Sequence, residues 1–138
     1  MRLRAIVLVL SLGLPVLATA CGSDEFQVVG TPRAAGVDGT VTVEEIEGGN
    51  YLVLVEVEFL PPPERISEDA TVYIVWIKPE DGAPVKAGRL GYDEDDRTGT
   101  LRATTPAADT FFVVITAEED ETANEPSEAV VVQREVSM

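Results

Sequence analysis

The 138-residue sequence predicts an all-β fold, an antiparallel sandwich of about seven or eight short strands. Three observations carry that prediction. Apolar residues recur with a period of two in runs such as Thr40-Val41-Thr42-Val43-Glu44, the pattern of strands with one buried face. Two other runs, Thr71-Val72-Tyr73-Ile74-Val75-Trp76-Ile77 and Thr110-Phe111-Phe112-Val113-Val114-Ile115-Thr116, are apolar on both faces, as central strands under two layers of packing are. Turn-forming residues separate the runs, leaving no helical crossover of the roughly a dozen residues that parallel strands need.

In chain order, Phe26-Gln27-Val28-Val29 forms a first strand ahead of a turn-rich loop over residues 30–39. The next run points Val41 and Val43 at a core. Gly48-Gly49-Asn50 then turns the chain into residues 51–60, where Tyr51, Val53, Val55, Val57 and Phe59 share one face and Leu52, Leu54, Glu56 and Glu58 the other. Pro61-Pro62-Pro63 ends this strand, because proline lacks the ladder donor and fixes its own φ. Residues 64–70 form a loop or a single helical turn. In the doubly apolar run that follows, Val72, Ile74 and Trp76 make one row and Tyr73, Val75 and Ile77 the other, so Trp76 reads as core. Residues 85–92 form a strand interrupted by Gly88 and Gly91, and the acidic run Asp93-Glu94-Asp95-Asp96 turns into residues 98–104. After the second doubly apolar run, a polar connection over residues 118–126 leads to a last strand at 129–134. Without a cysteine pair, any immunoglobulin-like sandwich here is held by packing alone.

The first twenty residues have a different character. Arg2 and Arg4 precede an apolar stretch over residues 6–17 that contains no acidic residue and is shorter than the roughly 20 residues of a membrane span. Small residues Ala18-Thr19-Ala20 then lead to Cys21, the only cysteine. Two processing routes fit this bond. Ala18-x-Ala20 matches ordinary secretory cleavage, and Leu17-Ala18-Thr19-Ala20-Cys21-Gly22 resembles a bacterial lipobox, with Ala18 where leucine is usual and Leu17 one place further back. The second makes Cys21 an acyl acceptor and consumes a thiol that has no intrachain partner. The expected organisation is a signal peptide at 1–20, a tether at 21–25 and one β-sandwich domain at 26–138.

After cleavage 118 residues remain, enough for one core, carrying 25 acidic and, without Arg2 and Arg4, 8 basic side chains, a formal charge of −17. Such a surface repels phosphate backbones and excludes nucleic acid as a partner. It also repels anionic headgroups, so membrane affinity rests on the anchor. The absence of histidine excludes a His-centred triad and His-ligated zinc, and neither a P-loop nor a dinucleotide-binding glycine pattern occurs. The sequence therefore predicts no enzyme and no organic cofactor. Asp93, Asp95 and Asp96 offer hard oxygens for Ca²⁺, without the turn glycine and distal glutamate of a calcium loop. Leu52, Leu54 and the outward side of Phe111, Val113 and Ile115 are the candidate partner surface.

The run Val72-Tyr73-Ile74-Val75-Trp76-Ile77, the element Gly82-Ala83-Pro84-Val85-Lys86-Ala87-Gly88-Arg89-Leu90, the acidic hairpin at 93–99 and the turn Glu125-Pro126-Ser127 together resemble the C-terminal extracytoplasmic domain of anti-sigma-K-type bacterial factors. The resemblance covers residues 71–138 and implies a sandwich outside the cytoplasm. It does not extend to a cytoplasmic sigma-binding segment or a transmembrane helix. The expectation is an envelope lipoprotein, bound to the bilayer through Cys21 and to an envelope protein, and in the outer membrane where the organism has one. A Ca²⁺ or small-ligand receptor and an extracytoplasmic sensor are the alternatives.

Overall fold

Period-two alternation becomes nine strands in the computed structural model, which describes residues 22–138. The signal peptide assigned to residues 1–20 and the acyl acceptor Cys21 lie outside the described residues. One sheet contains β1 (Ser23–Val29), β2 (Asp38–Ile46), β3 (Asn50–Glu58), β6 (Gly91–Asp93) and β7 (Thr98–Pro106) in the order β1-β2-β3-β7-β6. The other contains β4 (Val72–Pro79), β5 (Val85–Arg89), β8 (Thr110–Glu118) and β9 (Val130–Ser137) in the order β5-β4-β8-β9. All pairings are antiparallel, and the two sheets form a sandwich that does not close into a barrel.

The core lies between the sheets. Val41 and Val43 of β2 and Val53, Val55 and Val57 of β3 share it with Tyr73 and Val75 of β4 and Phe111, Val113 and Ile115 of β8, all fully buried. Each such aliphatic or aromatic side chain contributes about 1.5–3 kcal/mol relative to an exposed one.

Three local features depart from the sequence reading. The strand expected over residues 85–92 is two, because the chain leaves the second sheet after Arg89 and joins the first at Gly91. Leu90 plugs this crossing: its N–H donates to the Tyr73 carbonyl at 2.9 Å, and its side chain sits where a Cβ on Gly99 would come within 2.4 Å of Leu90 Cδ2. The tether expected at 21–25 is also mostly strand, since Ser23, Asp24 and Glu25 pair with Glu44, Val43 and Thr42. Polar residues suit an edge strand that faces water. Finally, Phe59 does not continue the buried face of β3. Its φ of +58° swings it out to 66% exposure, and Leu60 takes the core position instead.

The β1/β9 side of the sandwich is stitched shut. Gly30 bridges to Val132, Thr31 N–H donates to the Val131 carbonyl at 2.9 Å, and the Thr31 hydroxyl donates to the Val130 carbonyl at 2.7 Å. Only glycine fits at position 30, where a Cβ would fall 1.9 Å from the Ala34 carbonyl oxygen. Arg134 reaches across that side to lie over the Phe26 ring at 5.9 Å.

Candidate interaction site

On the opposite side the sandwich is split. β5 is the edge of one sheet, and β7, beyond its short pairing with β6 at Thr98 to Thr100, is the edge of the other. Where they diverge lies a groove of about 370 Å³ whose floor is Ile77 and Phe111 and whose walls include Val85, Ala87, Thr105 and Ala108. The lining is mainly apolar and contains no carboxylate. Its size and character are those of small-ligand and peptide-docking clefts. Val85, at 63% exposure, stands at its lip. On the outer face beside it, Arg102 has no salt-bridge partner among the described residues, where the single ion pair is Arg89 with Glu121.

The second sheet's outer face is apolar too, but it is covered. Val72, Ile74, Trp76 and Val114 form a separate buried cluster, with Phe112, Ala123 and Val130 packed against it. Trp76 is therefore core, as its sequence predicts, yet it belongs to this outer cluster and not to the layer between the sheets. The cover is the connection over residues 119–128, which folds back as a strap. Its near end is held by the Thr71 hydroxyl donating to the Glu119 carbonyl at 2.6 Å, and its middle by Lys86 Nζ donating to the Glu121 carbonyl at 2.7 Å and by the Arg89–Glu121 pair. Lys86 also lies 5.9 Å over the Trp76 ring.

A buried polar relay fixes the strap's far end. Trp76 Nε1–H donates to Thr116 Oγ1 at 2.8 Å, the Thr116 hydroxyl donates to Glu118 Oε1 at 2.6 Å, and Ser127 N–H donates to the same oxygen at 2.7 Å. The indole N–H thus has its partner, as a buried tryptophan requires. Within the strap, Asp120 accepts from the Thr122 hydroxyl and from its N–H, and these two bonds hold its carboxyl below the usual carboxylate range.

Two phenols brace the turn after β3. Tyr73 donates to the Pro61 carbonyl at 2.5 Å and Tyr92 to the Leu60 carbonyl at 2.7 Å, with the rings edge to face at 5.5 Å. Burial pushes the Tyr73 hydroxyl well above its ordinary range, with Tyr92 and Glu64 adding to the effect. Burial also raises Tyr92, against the opposing charge of Arg97. Both remain neutral donors.

The residues singled out from sequence fall in three places. Leu52 and Leu54 are half-buried on the outer face of the first sheet, next to Thr104 and Arg102 in register. Phe111 and Val113 point the other way, into the core, at 1% and 0% exposure, and so are not surface residues. Alternation within β8 puts Phe112 and Val114 outward in their stead. Asp93 Oδ1 accepts the N–H groups of Asp95 and Asp96 at 3.0 and 3.1 Å, so its first use is to close the β6–β7 turn. Among the described residues no three Asp or Glu side chains converge in the manner of a metal site.

The groove itself escaped the sequence reading, since β4, β5, β7 and β8 meet there only through topology. One signal was available: residues 82–92 and 97–108 hold no acidic residue in a chain with 25 of them. The fold and site define an all-β two-sheet module with one open side and, among the described residues, no cluster of three or more acidic or cysteine side chains that could hold a metal ion. No protein-family model, curated protein or solved structure matches the chain.

Proposed function

We propose that this is an envelope lipoprotein, acylated at Cys21, whose immunoglobulin-like sandwich serves as a non-catalytic interaction or structural module. The observation that carries the reading is the junction of leader and fold. A basic start, an apolar stretch and small residues lead to Cys21, and β1 begins two residues later. Two extended residues reach about 7 Å, so the sandwich rides against the bilayer. Multiple acyl chains on that residue satisfy the need for more than one membrane signal.

The strand order supports the immunoglobulin-like assignment. With β2 to β9 taken as A, B, C, C′, D, E, F and G, the sheets read A-B-E-D and C′-C-F-G, and β1 is an additional edge strand. The resemblance of residues 71–138 to the outer domain of anti-sigma-K-type factors is consistent with this at the level of fold. An outer-membrane location is the reading for an organism that has one.

Intact mass of the membrane-extracted protein tests the anchor. The expected mass exceeds that of residues 21–138 by a multi-acyl increment, and Cys21→Ser moves the protein to the soluble fraction. A bare mass for residues 21–138 overturns the lipid assignment and leaves plain secretion.

A further inference from the structure

We propose that the groove between β5 and β7 receives an extended segment of a partner protein, which adds a strand to the open edge of β7 and carries a carboxylate that meets Arg102. The proposal rests on the interaction-module reading and specifies where and how the module binds.

The backbone comes first. β7 pairs with β3 along Gly99 to Pro106, but with β6 only along Thr98 to Thr100. Beyond Thr100 that side of β7 has no strand partner, though β5 packs against the start of the run, where Leu101 lies beside Gly88. The stretch beyond Leu101 is about 17 Å long, room for a strand of about five residues. Unpaired edges invite strand addition unless blunted, and the sandwich's other edges are blunted. β1 presents Asp24 and Glu25, β9 is bridged by Gly30 at Val132 and carries the charged Arg134 and Glu135, and the β4–β5 ladder has a bulge between Val75 and Trp76. β7 carries a single charge, Arg102, and Pro106 at its end.

Side chains supply the specificity. An added strand alternates faces, so every second residue would drop into the apolar groove over Ile77, Ala87 and Phe111 while the others face outward beside Arg102 and Thr104. The groove lining holds no carboxylate in a strongly anionic domain, and Arg102, on the outer face beside it, lacks an ion-pair partner among the described residues. An acidic residue on the occupant finds its complement in Arg102. The placement also fits a partner at the same membrane. Ser23, Glu44, Leu52 and Thr104 form one row across the first sheet, so the groove lies at the end of the sandwich where β1 begins.

The test uses the protein as isolated from membranes and a seven-residue probe, acetyl-Val-Thr-Val-Asp-Val-Thr-Val-amide, followed by amide hydrogen exchange. Saturating probe is expected to slow exchange at least tenfold at alternate N–H groups of residues 101–105. N-methylation of the probe at alternate residues is expected to weaken binding at least tenfold, and Arg102→Glu about fivefold, with the unfolding midpoint of this exposed-site variant unchanged. A probe with Lys in place of Asp should bind the Arg102→Glu variant better than it binds the wild type.

Absence of slowing up to millimolar probe overturns the proposal. So does equal binding of the N-methylated probe, which would indicate a small-molecule cleft. Concentration-dependent slowing at residues 101–105 without probe would assign the edge to a second copy of this chain and also overturn it. The mass of the same preparation reports separately on Cys21, so loss of the anchor reading and loss of the groove reading are distinguishable.

Discussion

The outer face of the second sheet and the mouth between β5 and β7 are both apolar, but one is sealed by the chain's own strap and the other has no cover among the described residues. The sealed face shows what closure takes. Residues 119–128 bring Ala123 onto the Trp76 cluster, and the cover holds through a chain of hydrogen bonds from the indole to Thr116, Glu118 and Ser127. Among the described residues nothing comparable reaches the groove, whose lining has neither carboxylate nor buried relay. A strap rich in acidic residues can be tied down only where cations and buried donors wait for it. Lys86 and Arg89 both turn toward Glu121. β5 thereby turns its charges toward the strap, and Arg102 stands beside the open groove without an ion-pair partner among the described residues.

The largest effect expected from breaking this contrast is at Trp76. Trp76→Ala removes the centre of the outer cluster and strands Thr116 Oγ1 without its donor. Loss of a buried tryptophan costs about 3–5 kcal/mol, read as a fall in the urea midpoint at unchanged slope. A loss below about 1 kcal/mol would mean that the strap closes over the gap and that the cluster does not need its aromatic.

Glu118→Ala comes next. Its carboxylate is 7% exposed and accepts from both the Thr116 hydroxyl and Ser127 N–H. Hydrogen bonds to a charged group are worth about 1.5–3 kcal/mol. The expected signature is local as well as global, with exchange accelerated at the Ser127 amide before the amides of β8 respond. Uniform acceleration across β8 and β9 would show that strap and sheet open as one unit.

How far the sequence revealed these regions depends on which interactions are local. Alternation in β2 and β3 and the doubly apolar runs of β4 and β8 were legible because one strand's pattern reports its own two faces. Those runs require a cover on each face but do not name it. The strap is a polar segment, recognisable as a lid only once Glu118 and Ser127 are seen to meet. The same limit explains Phe111 and Val113: the run has two apolar faces, and choosing the outward one needs the sheet's position in the sandwich. Leu90 and the groove depend on a chain crossing between sheets, which no periodicity encodes. Phe59 fits its strand's alternation and departs from it because the chain must bend into Pro61.

Relieving that bend should change stability in the other direction. Phe59 is mostly exposed and holds a left-handed φ, a conformation that costs a non-glycine residue about 1–2 kcal/mol. Asparagine adopts it more readily, so Phe59→Asn is expected to raise stability by about 0.5–1 kcal/mol. Equal or lower stability would indicate that the ring packs on the domain more than its exposure implies.

Arg89→Ala should have the smallest effect. The Arg89–Glu121 pair is more than half exposed on both sides, and pairs of that kind contribute about 0–1 kcal/mol. Lys86 still donates to the Glu121 carbonyl, so the strap keeps its tie at that position. The global midpoint should therefore move by no more than about 0.5 kcal/mol, while the strap amides near Glu121 exchange a few times faster. If the variant instead unseals the strap, exposing Trp76 to a fluorescence quencher at unchanged global stability, the covered face and the open groove differ by a single surface ion pair. The cover would then be a door and not a wall.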